Sequence, residues 1–598
     1  METTAEAVPA ADQEQTATPS PATRSTLSLD KEKFSSHNAS LEDLNVDAAG
    51  GAALAVSTQG AEPEQPVERH DKVNKNTLLI VLSLCVCVFL SALDQTIITT
   101  AIPVIAGEFH SPSAYTWIGS SYMLASASFL PSWGKFSDIW GRKPVLLAAA
   151  VLFMIGSVLC AAANGIVLML VGRVLQGLGA GGQLGLVNVT ISDIVTVRQR
   201  GLYLSYVGMT WAAASAVGPV LGGVFTGMAK WGWRFCFIIN IPVGFVAILG
   251  LIFFLHLESS TISLWDGLKR VDWLGTSCIV TGVILFLLAL EFGGISHPWN
   301  SPIVLCFLIF GIALLIFFVF VEYRIATLPV MPLRLFNHRT NVSSYLVGFC
   351  HGFVFIAGCY FLPLYFQAAR GDTPLMSGVY VLPYVISLSL MSGLTGFLIS
   401  KTGQYQYLVW GGAVVQAIGV GLVVMLDRKS SWAEVIIFQL IMGTGSGPLF
   451  QAPLIAIHST INPKDVATAT STFAFLRTLG TALAISLGLT LFQNGMSKQA
   501  GQELVEKVGE EAMQRITGMS ASASVEWVKK LPDVQRFGAQ DAYAKGMKGM
   551  WWFFLGIALV AVVCSVGIGK HHLSQKLTSA QPVKDRKKVK EEKEGVAV

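Results

Sequence analysis

Long apolar runs dominate the chain. From about residue 77 to residue 569, runs of about 18 to 25 mostly apolar residues recur between shorter polar segments. A helix of about 20 residues crosses the roughly 30 Å hydrocarbon core of a bilayer. The pattern therefore predicts an all-α integral membrane protein with about fourteen transmembrane helices, near residues 77–99, 115–134, 144–163, 166–186, 203–226, 235–256, 273–292, 302–321, 344–366, 376–399, 408–426, 433–453, 469–492 and 549–569.

Polar segments flank this apolar region. Residues 1–75 are rich in Ala, Thr, Ser, Glu, Gln and Pro, which predicts a disordered tail because such a segment buries too little apolar surface to fold. The C-terminal segment 571–598 contains "KDRKKVKEEK" and is predicted to be a solvated basic tail. Residues 494–547 have nearly balanced charge and are predicted to form a long loop outside the membrane.

The distribution of Lys and Arg predicts the orientation. Cytoplasmic loops are enriched in these residues, whereas long loops are exempt from the bias. With a cytoplasmic N-terminal tail and an even number of spans, both termini are cytoplasmic, and the loop 494–547 lies on the other side. The loops after even-numbered spans then contain Lys135, Arg142, Lys143, Arg198, Arg200, Lys269, Arg270, Arg324, Arg334, Arg339, Lys401 and Lys464, against the counterexamples Lys230, Arg234, Arg370, Arg428 and Lys429.

Composition narrows the function classes. The 598 residues are 53% hydrophobic and 13% charged, with a net charge of +4 and a mean hydropathy of +0.58. The basic residues are scattered through short loops, so we expect the lipid bilayer, and not nucleic acid, as the partner. The sequence has no nucleotide-binding loop, no nucleophile elbow and no metal-binding His pair, so we expect no metal and no enzymatic activity.

An internal repeat is visible at two helix ends. "GKFSDIWGRKP" from Gly134 and "GFLISKTGQYQ" from Gly396 each close a span, and Gly141 matches Gly403 at the other end of the motif. Repeated halves that meet around a central site are typical of secondary transporters. The pattern predicts two related halves.

The segment "GKFSDIWGRK" resembles the loop signature of the major facilitator superfamily, and the chain resembles its fourteen-helix drug:proton antiporter branch, as found in fungi. The resemblance implies two six-helix bundles, at 76–260 and 336–570, with two further helices inserted at 261–335. The signature is interpreted as a conformational latch, since its charged side chains can bond across helix ends and must separate when the protein opens. Its residues are Gly134, Asp138, Gly141, Arg142 and Lys143.

Two further motifs are similar to those of this branch. "LVGRVLQGLGAGGQLG" in the fourth span resembles its proton-coupling motif, at Arg173 and Gln176. "AVGPVLGG" in the fifth span resembles its antiporter signature, in which proline and glycines permit bending and close helix packing; its residues are Gly218, Pro219, Gly222 and Gly223. "WGWRFCFIINIPVG" also resembles a stretch of the branch and is interpreted as a family label, not as a site.

Asp94 is the one carboxylate in the first span. It lies about 12 Å below the far end of its helix at 1.5 Å per residue, and Arg173 lies about 10 Å below the same surface on an antiparallel helix. Charges at this depth are expensive and mark functional sites. We expect the two to pair and to serve proton coupling; the alternative is a structural cap that ties Asp94 to Thr96 or to a neighbouring helix.

Other polar residues inside the spans are candidates for the substrate path. Arg477 in "FAFLRTLGTALAISLG" either lines the path or extends to the cytoplasmic surface. The remaining candidates, each of which is individually more typical of an ordinary helix contact, are Gln176, His351, Tyr360, Gln439 and Gln451.

The resemblance implies a proton-driven exporter of small amphipathic molecules such as drugs, mycotoxins or other secondary metabolites, operating by alternating access. Alternatives are a proton-coupled importer of amino acids or siderophores, and a non-transporting sensor on the same fold. No cofactor other than the proton gradient is expected. The expected location is the plasma membrane, with the vacuolar membrane as the alternative, and the expected state is a monomer.

Overall fold

A computed structural model describes most of the apolar region. The predicted tails 1–75 and 571–598 lie almost wholly outside the described residues, as does most of the segment 500–523. The residues described are 75–109, 114–228, 232–257, 262–294, 297–326, 328–499, 508–509, 513, 516–517, 524–571 and 573.

The described part is built from long α-helices. We number the fourteen longest and give shorter helical segments by their residues. They are α1 (Lys75–Glu108), α2 (Ala114–Trp140), α3 (Arg142–Ala161), α4 (Ile166–Ile194), α5 (Val197–Met228), α6 (Asn240–Phe254), α7 (Trp273–Phe292), α8 (Pro302–Arg324), α9 (Arg339–Ala368), α10 (Leu382–Thr402), α11 (Gln406–Val423), α12 (Trp432–Leu449), α13 (Val466–Lys498) and α14 (Asp533–Ser565).

Thirteen spans in the described residues are long and apolar enough to cross a membrane; α6, with 15 residues, reaches that length together with the short helical segments that begin at Gly232. The fourteenth, α2, has 27 residues but contains several serines and Pro131. It packs mainly against α4 and α13, so protein side chains surround much of its polar surface. Helices are the expected solution, because lipid offers no hydrogen bonds to an open backbone.

Several helices extend beyond the predicted spans. α1 continues to Glu108 and α4 to Ile194, while α14 begins at Asp533, well before residue 549. The predicted loop 494–547 is therefore shorter than expected, because its ends belong to α13 and α14. Amphipathic turns at helix ends do not register as apolar runs, which explains the difference.

The two halves share a packing pattern. In the first half, α1 packs on α5 while α2 and α3 pack on α4; in the second, α9 packs on α13 while α10 and α11 pack on α12. Gly141 and Gly403 lie at the end of the repeated motif with backbone φ angles of 90° and 71°, which residues other than glycine rarely adopt. The two halves meet where α5 packs on α10 and α2 on α13.

The inserted helices α7 and α8 pack on each other. α7 also contacts α2 of the first half and α13 of the second, whereas most of the α8 surface is exposed and apolar, as expected for a helix facing lipid. α7 therefore lies beside the junction of the two halves.

Candidate coupling and transport site

Asp94 lies at the centre of a buried polar cluster. Its Oδ2 is 2.5 Å from Nη1 of Arg173, and its Oδ1 accepts hydrogen bonds from Nε2 of Gln176 at 2.9 Å and from Nδ2 of Asn240 at 2.7 Å. Both charged side chains are at most 1% exposed. The depth argument thus places the two charges correctly, and the pair is held by neutral donors on α4 and α6.

The Arg173 guanidinium has partners on three sides besides Asp94. Its Nε donates to the Ile118 carbonyl at 2.9 Å, its Nη1 donates to Oε1 of Gln176 at 2.9 Å, and the group lies 4.4 Å from the centroid of the Tyr122 ring. A buried ion pair is tolerated when further bonds satisfy its remaining donors and acceptors, as they do here.

The alternative tie to Thr96 is absent. The Thr96 hydroxyl donates to the Ala92 carbonyl of its own helix at 3.0 Å and to the Ala214 carbonyl of α5 at 3.3 Å. Asn240 was missed because its stretch of sequence was interpreted only as a family label. The sequence around Asn240, at the start of α6, does not indicate which helix its side chain faces.

Two cavities lie between the halves, on the side of the bundle opposite the α2–α3 loop. One of about 130 Å³ is bounded by Thr96 and Arg173 of the first half and by Tyr360 and Leu489 of the second. Its neighbour, of about 200 Å³, shares Thr96, Tyr360 and Leu489 and extends to Pro219. Most of their walls are apolar, which suits an amphipathic guest. Arg173 joins the buried cluster to the first cavity.

The predicted antiporter motif packs against the helix that contains Asp94. A side chain at Gly218 or Gly222 would collide with Thr96 and Thr100 of α1, so these glycines permit the close approach of α5 and α1. Pro219 faces the larger cavity, and α5 continues through it from Val197 to Met228. Gly223 faces Leu375 with little contact.

The predicted latch residues form an ion-pair network at the predicted cytoplasmic face. Arg142 Nη1 lies 2.7 Å from Asp138, and Arg142 Nε lies 2.8 Å from Asp193 of α4. Asp138 also accepts a 3.3 Å hydrogen bond from Thr468 in the first turn of α13, across the two halves. Lys143 points away and donates to the Ile252 carbonyl at 2.8 Å. Asp193 was missed because the predicted fourth span ended at residue 186.

The two halves close tightly at this same face. A side chain at Gly134 would collide with Ser471 of α13, and one at Gly396 would collide with the Gly201 carbonyl of α5. Arg198 adds hydrogen bonds from α5 to the carbonyls at the end of α10, Ser400 at 2.9 Å and Lys401 at 2.7 Å. The cavities therefore lie on the far side of the closed, predicted cytoplasmic face.

The candidates in the second half separate into cavity residues and buried residues. Tyr360 lines both larger cavities. Arg477 lines a third cavity of about 40 Å³, with its Nη1 donating to the Phe450 carbonyl at 3.1 Å and its guanidinium 4.5 Å from the centroid of the Phe450 ring. Arg477 therefore faces an internal cavity and does not extend to the surface of the bundle.

His351 is buried, with its ring centroid 5.9 Å from that of Phe355. Gln439 is buried and donates to the Val435 carbonyl of its own helix at 3.2 Å. Gln451 is buried at the break that follows α12, and Gln176 belongs to the Asp94 cluster. None of these four lines the cavities described above.

One cavity carboxylate was not predicted from the sequence. Glu291, near the end of α7, lines the cavity of about 130 Å³ and is hydrogen-bonded to Ser120 and Ser486. In the described residues, no cluster of three His, Cys, Asp or Glu side chains suits a metal ion.

Comparison with known proteins adds to this geometry. The sequence model of the Major Facilitator Superfamily matches residues 84–485. The chain belongs to the major facilitator superfamily. Proteins of this superfamily are transporters, so the chain is a membrane transporter and not an enzyme.

Fungal members of the superfamily are similar over most of their length. "Efflux pump dotC" of Dothistroma septosporum is 42% identical over 83% of this chain and 85% of its own. "MFS-type transporter ppz2" of Metarhizium majus is 37% identical over 88% and 91%. The solved structure of the proton:xylose symporter XylE covers 84% of this chain and 98% of its own with a TM-score of 0.53 at 15% identity, which shows a shared fold.

Proposed function

We propose that this transporter exports small amphipathic molecules in exchange for protons. The observation that carries the proposal is the buried Asp94–Arg173 pair, which adjoins a largely apolar cavity between the two halves. The name of the similar dotC protein, an efflux pump, supports the direction of transport. The chain contains both halves of the site, so we further propose that it acts as a monomer.

Asp94 is the proposed proton carrier. Protonation removes its negative charge and with it the attraction to Arg173, so the guanidinium is released from the carboxylate. Gln176 and Asn240 donate to the same carboxylate, and both bonds weaken when the proton arrives. Proton binding therefore changes the contacts of α1 with α4 and α6 together.

The cavity of about 130 Å³ is the proposed site from which substrate is released. With the cytoplasmic face closed at Gly134 and Gly396, substrate leaves towards the far side, and a proton entering by the same route reaches Asp94 past Arg173. Rearrangement of α1 and α4 then loosens the Asp138–Thr468 contact and opens the cytoplasmic face, where the proton leaves and the next substrate enters. We place this cycle in the plasma membrane with both termini in the cytoplasm.

A metabolite comparison tests the proposed export. Intracellular and extracellular small molecules are measured in a fungal host that lacks the gene, in one that overexpresses it and in one that overexpresses Asp94→Asn at equal protein level. We expect compounds that move outside only with the unmodified protein. An unchanged distribution across a broad panel contradicts export, and movement to the inside indicates an importer.

A further inference from the structure

Glu291 is a buried carboxylate in the wall of the proposed transport cavity. It lies near the end of α7, is 9% exposed, and faces the cavity of about 130 Å³. Its Oε1 accepts a 2.6 Å hydrogen bond from Ser120 of α2, and its Oε2 accepts a 3.1 Å hydrogen bond from Ser486 of α13. The inserted pair of helices thus contributes a side chain that contacts both halves.

This carboxylate has no positive partner. In the described part of the chain, Glu291 forms no ion pair, and Arg173 is the other charged residue among those that line the cavity. Arg173 is already neutralised by Asp94, whose Oδ2 is 2.5 Å from its Nη1. The cavity wall therefore has one uncompensated negative charge when Glu291 is ionised.

The cavity can accept a positive group at this position. A carboxylate has about four lone-pair directions, and the two serine hydroxyls occupy two of them. A buried charge without a counter-charge is costly, so a cation that enters the cavity gains a strong electrostatic interaction there. The aromatic ring of Tyr360, which also lines the cavity, offers a further surface on which a cation can pack.

The rest of the cavity wall favours a cation with an apolar organic body. Ile102, Leu287, Ile356 and Leu489 also line the cavity and offer only apolar contacts. A small inorganic cation would lose its hydration shell against these residues, whereas an apolar organic body would fill them.

We propose that Glu291 is a specificity-determining residue that recognises the positive charge of an amphipathic organic cation, such as a protonated amine. The inference rests on the proposed export function, since it names the substrate class of the same cavity. In this arrangement the inserted helices are part of the binding site.

Binding of two probes of similar shape tests the proposal. Phenyltrimethylammonium is a small amphipathic monocation without a titratable proton, and tert-butylbenzene is its neutral isostere. Equilibrium binding of each to the purified full-length protein in detergent is compared for the unmodified chain, Glu291→Gln, Glu291→Asp and Glu322→Gln. Glu322 is the matched control, because it is a buried membrane carboxylate of α8 that accepts from the backbone N–H groups of Val330 and Met331 outside the cavity.

We expect the unmodified protein to prefer the ammonium cation. Glu291→Gln should weaken binding of the cation by about tenfold or more, the loss of one charge-assisted contact, while leaving the neutral probe unchanged. Glu291→Asp should bind the cation more tightly than Glu291→Gln, and Glu322→Gln should match the unmodified chain. Size-exclusion chromatography verifies that each variant is folded.

Several results would overturn the proposal. Equal affinity of the unmodified protein for both probes, or no saturable binding of the cation, contradicts it without any variant. Unchanged cation binding in Glu291→Gln, or equal loss in Glu322→Gln, also contradicts it. Gene-dependent export without cation selectivity would refute this inference alone, whereas cation binding without any exported metabolite would refute the export function and leave the Glu291 site standing.

Discussion

Gly396 offers a direct test of how the predicted cytoplasmic face closes. A methyl group at this position would meet the Gly201 carbonyl and would lie 2.5 Å from Oγ and 2.6 Å from Cβ of Ser205, all on α5 of the other half. The clash exists only while the two halves are together at this face. Gly396→Ala should therefore destabilise the closed arrangement and favour the one that is open at this face.

The size of the shift follows from the overlap. An extra methyl group in a tightly packed interface costs about 1 to 3 kcal/mol, which corresponds to a change of about 5- to 150-fold in the ratio of closed to open forms. Gly411→Ala on α11 is the matched control, since an added methyl group there has no neighbour within 4 Å. Both substitutions raise helix propensity by a similar amount, so that contribution cancels between them.

Hydrogen–deuterium exchange of the purified protein measures the shift. Peptides covering residues 197–206 and 393–402 should take up more deuterium in Gly396→Ala than in the unmodified chain, whereas Gly411→Ala should match the unmodified chain. Equal uptake in the two variants would refute the conclusion that close packing at Gly396 holds this face shut.

Three further predictions concern other parts of the molecule. Asp193→Asn removes one of the two carboxylates bound to buried Arg142 and should lower the free energy of unfolding by about 3 kcal/mol. The loss is measured as a lower melting temperature in detergent; an unchanged melting temperature argues against a stabilising role of the Arg142 ion pairs. Arg477→Ala should reduce export more than Arg477→Lys, because lysine keeps the charge that faces the cavity of about 40 Å³; equal export by both would exclude a role for that charge. Desolvation and the neighbouring His338 lower the pKa of His571 below 6.5. The unfolded segment therefore binds more protons than the folded one as the pH falls below 6.5. The stability contribution of neutral His571 is complete above pH 6.5 and is lost as the pH falls below it. Exchange at residues 566–571, expressed relative to the intrinsic exchange rate at each pH, should rise on acidification, and His571→Gln should remove that rise; a rise that persists in this variant has another cause.

The sequence was sufficient to predict the helices and one charge pair. Continuous apolar runs fix the number of spans, and helix direction with 1.5 Å rise per residue placed Asp94 and Arg173 at the same depth, where the structure joins them. Depth along a helix depends only on residue number. For this reason, the pair could be anticipated without knowing which side each helix turns to its neighbours.

Features that depend on helix rotation or on helix ends were not predictable. Asn240 and Glu291 face their sites because of how α6 and α7 are rotated, and nearly uniform apolar sequence does not determine rotation. Asp193 was excluded because α4 continues to Ile194, past the end of its most apolar stretch. Gln176 is a polar residue of the correct helix, but its side chain points into the Asp94 cluster and not into the cavity.

Coupling of export to Asp94 is the central claim, and one transport measurement tests it most directly. Proteoliposomes containing the unmodified protein, Asp94→Asn or Glu322→Gln are loaded with a compound identified by the metabolite comparison, and its movement is recorded with and without an imposed pH gradient. Glu322→Gln is the control, because it also removes a buried carboxylate of a membrane helix but lies outside the cavity and the latch network. We predict gradient-driven transport by the unmodified protein and by Glu322→Gln and none by Asp94→Asn; normal gradient-driven transport by Asp94→Asn would contradict the account.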